Sequence, residues 1–129
     1  MAMPRILILG GGFGGIRTAL NLESKLRGHA EITLIDRNSY HLFTPALYEI
    51  ASAYGLDRDR FNGQLRNTVT VPYEEIFRGR QVRFVQAEIR EVNIETKAAM
   101  TQGGHLFRYD YLVLGLGAQA ADYGIPGIR

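Results

Sequence analysis

Six residues, Gly10-Gly11-Gly12-Phe13-Gly14-Gly15, constrain this chain more than any others because of what flanks them. Before them, Arg5-Ile6-Leu7-Ile8-Leu9 is an apolar run bounded by glycine, the pattern of a strand buried on both faces of a parallel sheet. After them, from Gly14 to Arg27, Ile16, Ala19, Leu20, Leu22 and Leu26 recur at helical spacing, while Arg17, Asn21, Glu23 and Lys25 take the other face. Gly28 is expected to stop this helix, and Glu31 to Asp36, reading EITLID, is a second strand that ends on an acid. Strand, glycine turn, helix and strand form the opening β-α-β unit of an α/β fold.

The glycines fit G-x-G-x-x-G through Gly10, Gly12 and Gly15, and each position has a steric task. Gly10 permits a tight turn, Gly12 lets a pyrophosphate approach the backbone, and Gly15 lets the helix pack closely on the sheet. A helix opening here aims unpaired N–H groups and the positive end of its dipole at that phosphate, a dipole contribution of about 0.3–2 kcal/mol. The pattern alone is weak, since glycine turns also join strands to helices for purely structural reasons. Its context strengthens it: it follows a buried strand, opens an amphipathic helix, and is followed 21 residues after Gly15 by Asp36 at a strand end. Asp36 would accept hydrogen bonds from adenosine ribose hydroxyls and repel a 2′-phosphate, which argues against NADP. Arg37 beside it is a candidate for stacking on adenine, its plainer role being that of an exposed loop arginine. The loop candidates are therefore Gly10, Gly12, Phe13, Gly14 and Gly15, with Asp36 and Arg37 across from them. These residues do not separate FAD from NAD, because both carry the same ADP half.

The rest of the chain is less periodic. Residues 37–72 read as loop with a short helix over Thr44–Ala53, Pro45 at its first position, and a solvated loop over Leu56–Arg66. The stretch from Thr70 to Phe77 suits a helix start closed by Gly79, and Val82-Arg83-Phe84-Val85 begins a strand. Residues 86–109 suggest a small antiparallel meander turning at Gly103-Gly104, and Tyr111-Leu112-Val113-Leu114 is another buried-strand pattern. With 129 residues, 46% hydrophobic, one domain is the ceiling. A net charge of only +2 gives no reason to expect nucleic acid. The sequence has no cysteine, so it holds no disulfide, thiolate metal site or cysteine redox couple, which fits a cytoplasmic protein. Its opening apolar run is too short for a signal-peptide core or a membrane span.

Three later segments, RNSYHLFTPALYEIAS, VRFVQAEI with the meander after it, and YDYLVLGLGAQAADYGIPG, resemble the flavoproteins built from two dinucleotide-binding domains, and type II NADH dehydrogenase most of all. The resemblance implies a Rossmann-type parallel sheet with a small antiparallel β-meander, forming an incomplete FAD-binding domain, with residues 1–129 as the amino-terminal segment of a discontinuous one. It implies FAD as cofactor, NADH as substrate and a quinone acceptor in the full-length protein, peripheral attachment at the cytoplasmic membrane face there, and self-association of a chain lacking the remaining strands. By the same resemblance, Thr44 and Pro45 lie beside the flavin or its pyrophosphate, and the Ala87-Glu88 backbone meets the adenine. Gly115-Leu116-Gly117 departs from the family's usual Ala-Thr-Gly, leaving Gly117 as the position that carries over. In the disulfide-reductase relatives the segment matching His41-Leu42-Phe43-Thr44-Pro45-Ala46-Leu47-Tyr48 carries a pair of redox cysteines; here it carries none, so a flavin-to-disulfide relay through it is excluded. No general acid, base or nucleophile is assigned, and His41 is given no catalytic part. The alternatives are a sulfide:quinone oxidoreductase-like flavoprotein and an NAD-binding Rossmann domain without flavin.

Overall fold

The computed structural model describes residues 2–47, 69–118 and 121–127. The element order is β1 (Arg5–Leu9), α1 (Phe13–Leu26), β2 (Glu31–Asp36), β3 (Tyr40–Leu42), a 3-10 turn (Thr44–Ala46), β4 (Thr70–Pro72), α2 (Tyr73–Ile76), β5 (Val82–Gln86), β6 (Ile89–Asn93), β7 (Ala98–Thr101), β8 (Leu106–Arg108) and β9 (Tyr111–Leu114). Strands β5-β2-β1-β9 form a parallel sheet in that order, with Ile6 to Leu9 opposite Ile32 to Ile35 on one side and Tyr111 to Leu114 on the other.

The central strand divides its side chains between two cores, as the alternation of a pleated strand requires. Ile6 and Ile8 point toward the α1 face, where they join Ala19, Leu34, Tyr73, Phe77 and Val82. Leu7 and Leu9 point the other way, to Ile35, Ala99 and Tyr109 under the meander. The α1 residues marked by their spacing, Ile16, Leu20, Leu22 and Leu26, pack against the first core with Ala19 fully buried. The helix ends one residue early: Arg27 itself takes the left-handed conformation at φ 46°, followed by Gly28 at φ 83°. The meander β6-β7-β8 is antiparallel and turns through Gly103-Gly104, as its pattern suggests, with a register shift between Ile89 and Glu91.

Three expectations change. Residues 70–72, read as the start of a helix, form β4 and pair antiparallel with β3, a ribbon absent from the loop reading of residues 37–72. The helix begins only at Tyr73, with Pro72 as its cap residue rather than inside it. The reason is that β3 and β4 are three residues each and are held by pairing across thirty positions, which leaves no local period. Strand β9 lies at an edge of the sheet, so its apolar run is half-exposed rather than buried. Of the short helix expected over Thr44–Ala53, the described part is a 3-10 turn with Pro45 near its start. Residues 48–53 and the loop expected over Leu56–Arg66 lie outside the described residues.

Candidate functional site

At the carboxyl ends of the parallel strands the chain opens a cleft of about 670 Å³, within the ordinary range of about 300–1,000 Å³ for ligand sites. One wall is the glycine loop, and the other is the stretch from Ala87 to Val92. Asp36 stands at the end of β2 between them, and Leu116, Gly117 and Ala118 close a third side.

The glycine loop takes its shape from three close approaches. Gly10 sits at φ 98°, and a Cβ there would run into the Gly115 carbonyl where β9 ends. A Cβ on Gly15 would run into the Gly10 carbonyl, which is why the helix can lie so close on the turn. Gly11 is packed on the Tyr73 phenol, so a side chain there would displace the ring. Gly12, by contrast, has nothing within 4 Å of where a Cβ would stand and takes φ −73°, which any residue adopts. It is the cap residue of α1 and offers no side chain to the first-turn N–H groups, and no acidic residue occupies that turn. The exposed amides of a helix start are donors for an anion.

Asp36 is anchored by main chain. Its Oδ2 accepts from the Gly11 N–H at 2.8 Å and its Oδ1 from the Asn38 N–H at 2.8 Å, so the carboxylate is oriented before any ligand arrives. The Asp36 carbonyl accepts from the Ala87 N–H at 2.9 Å, which ties the second wall to the strand end. Beneath the loop, Tyr73 donates its hydroxyl to the Gly11 carbonyl at 2.6 Å, and His41 Nδ1 lies 3.0 Å from the same oxygen. Tyr73 is 2% exposed, and its ring stacks on Phe84 at 4.6 Å. Burial first, and the negative charge of Asp36 second, hold its phenol above the ordinary tyrosine range.

Of the residues expected from sequence, Gly10, Gly12, Asp36 and Arg37 line the cleft together with Thr44, Ala87 and Gly117. Gly117, at φ 72°, has open space where a Cβ would stand. Gly15 is buried under the turn rather than at the surface of the cleft. Phe13 is 51% exposed, its ring edge-on to His41 at 4.8 Å and to Phe43 at 5.7 Å. Gly14 and Pro45 are exposed and do not line the cleft. Gly11 and Tyr73 lie outside the expected set, His41 is a hydrogen-bonded buried histidine, and the second wall runs past the expected Ala87-Glu88 to Val92. The usable signal for Gly11 is the extra glycine inside the motif.

Among the described residues no cluster of His, Cys, Asp or Glu could hold a metal, and no helix is long and apolar enough to cross a membrane.

A parallel sheet with a glycine loop leading into its first helix, and a cleft at its carboxyl edge, defines a Rossmann-type α/β protein. The chain belongs to the pyridine nucleotide-disulphide oxidoreductase family, whose sequence profile matches residues 4–129. It is 32% identical to a type II NADH:quinone oxidoreductase of Staphylococcus haemolyticus over 126 residues, covering 97% of this chain and 29% of that protein. The Staphylococcus aureus enzyme of the same name is 33% identical over the same span. Among solved structures, NDH2 of Plasmodium falciparum in complex with NADH superposes with a TM-score of 0.75 at 28% identity, over 98% of this chain and 25% of that one. The sulfide:quinone oxidoreductase of Aquifex aeolicus does so with a TM-score of 0.74 at 27% identity, over 92% and 25%. The chain thus spans under a third of the length of the relatives it matches.

Proposed function

We propose that this chain forms the site for the ADP half of FAD, as a segment of a discontinuous FAD-binding domain in an NADH:quinone oxidoreductase. The observation that carries the reading is the cleft itself, in which open Gly12, anchored Asp36 and the Ala87 wall face one another. Gly12, with the first-turn amides of Phe13 and Gly14, would meet the pyrophosphate, while Gly10 and Gly15 hold the turn that presents them. Asp36 would take the ribose hydroxyls on the lone pairs not used by Gly11 and Asn38. Arg37 and the Ala87-Glu88 backbone would flank the adenine. Thr44, Pro45 and Gly117 would lie on the side that leads toward the flavin. When bound, FAD supplies the electron-transfer chemistry, and the protein supplies position and electrostatics. The names of the relatives support NADH as donor and a quinone as acceptor. A lipophilic acceptor suits a cytoplasmic protein lying peripherally on the membrane face. The exposed apolar edge of β9 supports self-association of the 129-residue chain.

A second reading, a sulfide:quinone oxidoreductase-like flavoprotein, rests on the Aquifex aeolicus superposition. The deciding experiment is the absorption spectrum of the purified intact protein with Gly12→Val beside it. Wild type should carry flavin absorbance and the variant should lose it while its circular dichroism stays unchanged, because the valine would fill only the ligand's space. A variant that still purified yellow would overturn the assignment of this loop. Steady-state turnover with NADH or with sulfide as donor then separates the two readings.

A further inference from the structure

The Gly11 carbonyl accepts from two side chains that come from elements far apart in sequence, Tyr73 of α2 at 2.6 Å and His41 of β3 at 3.0 Å. Both donors are buried, at 2% and 8% exposure, so neither bond is exchanged with bulk water. A planar trans peptide sends its C=O and its N–H in opposite directions, and there is no cis bond among the described residues. With the Gly11 oxygen drawn down into the protein, the N–H of the same peptide, which is that of Gly12, is aimed outward. Gly12 itself lines the cleft, and a Cβ built on it would meet nothing within 4 Å. The preceding peptide is fixed in the opposite sense, since the Gly11 N–H is held by Asp36 Oδ2 at 2.8 Å. Two consecutive peptides of a glycine-rich loop, which would otherwise sample many orientations, are thus locked by three side chains.

We propose that Tyr73, with His41 as second donor, is a positioning residue that presents the Gly12 N–H to the pyrophosphate of the bound dinucleotide. The assignment rests on the dinucleotide reading above and adds a determinant from outside the glycine motif. It also accounts for Gly11: a side chain at that position would push the phenol out of place. Tyr73 touches neither phosphate nor flavin; it acts through the Gly11–Gly12 peptide, with Asp36 as its other polar neighbour.

The test is Tyr73→Phe in the intact, flavin-free protein. The substitution keeps the ring on Phe84 and removes only the hydroxyl. ADP and adenosine are titrated separately, and the ligand-free melting temperature is recorded. A pointed Gly12 N–H matters to phosphate and not to the nucleoside, so ADP affinity should fall about threefold to tenfold, the worth of one hydrogen bond, while adenosine affinity stays within about twofold. Equal losses for ADP and adenosine would show that Tyr73 merely supports the fold, and unchanged ADP affinity would show that the loop needs no clamp. Either result overturns the inference and leaves the dinucleotide reading standing. Wild type that binds neither ADP nor FAD overturns the dinucleotide reading itself. Should Tyr73→Phe fail to fold, His41→Phe repeats the measurement on the second donor, and the same split between ADP and adenosine decides it.

Discussion

Strands β1 and β9 lie side by side and in register, and in the sequence they look alike: Ile6-Leu7-Ile8-Leu9 against Tyr111-Leu112-Val113-Leu114. In the fold they differ. Ile8 and Leu9 are fully buried, whereas Tyr111 and Leu114 are each 63% exposed. The run of apolar residues identifies both as strands of a parallel sheet, but burial depends on what covers each face and each edge. Strand β1 has a hydrogen-bonded neighbour on both sides, α1 on one face and the meander on the other. Strand β9 has β1 on one side only among the described residues. The two strands also end against each other: Gly10 leaves β1 where Gly115 leaves β9, with Gly115 donating its N–H to the Leu9 carbonyl at 2.7 Å.

That shared end is where the comparison breaks most completely. Gly10→Val would put a branched side chain at φ 98° and into the Gly115 backbone, so neither strand could keep its exit. The expected result is loss of the folded state, a destabilisation above about 4 kcal/mol, read as absent cooperative unfolding. A folded Gly10→Val protein would show that the two exits are not coupled. Next in size is a pair of truncations. Ile8→Ala removes a side chain packed between α1 and the sheet and should lower unfolding free energy by about 2–5 kcal/mol. Leu114→Ala, at the edge, should stay within about 1 kcal/mol of wild type. Denaturant titration of both in the 129-residue chain measures the difference. Equal losses would mean that β9 is covered in that chain as fully as β1.

The same contrast explains what was legible beforehand. The β1-α1-β2 unit is encoded locally: an apolar run, glycines at fixed offsets, a helical period, and an acid 21 residues after Gly15 all lie within 36 residues. Asp36 could therefore be placed at the strand end from spacing alone, and Ala19 in the core from periodicity. The ribbon of Tyr40–Leu42 with Thr70–Pro72 could not, because each strand is too short for a period and each depends on a partner thirty residues away. The same distance hid the loop clamp. Nothing next to Tyr73 marks a tyrosine whose hydroxyl reaches a glycine 62 positions earlier. The exposure of β9 was hidden because a sequence run carries no information about how many neighbours a strand will have.

The smallest expected effect sits where β1 and β9 begin. Asp110, just before β9, accepts from the Arg5 N–H at 2.7 Å and from the Arg5 guanidinium at 3.2 and 3.3 Å, and its own N–H returns a 2.9 Å bond to the Arg5 carbonyl. The side chains of the ion pair are 45% and 41% exposed, so solvent screens it and its contribution to stability is small. Hydrogen bonds from Arg5 hold the Asp110 carboxyl below its ordinary value of 3.8, and Asp110 in turn raises the Arg5 guanidinium. A carboxylate with a depressed folded pKa stabilises the protein above its unfolded pKa and loses that contribution as pH falls through the folded value. The Arg5 contribution would be lost only above the arginine range, beyond ordinary working pH. Asp110→Asn keeps an acceptor for the Arg5 N–H and removes the charge. It should lower the denaturation midpoint slightly at neutral pH, less than Ile8→Ala by a wide margin. The gap from wild type should begin to narrow as the pH drops below the ordinary aspartate value and close below the depressed folded value, and added salt should narrow it at neutral pH. A gap that persists unchanged through acid would show that the neutral hydrogen bonds alone, and not the charge, hold the two strand starts together.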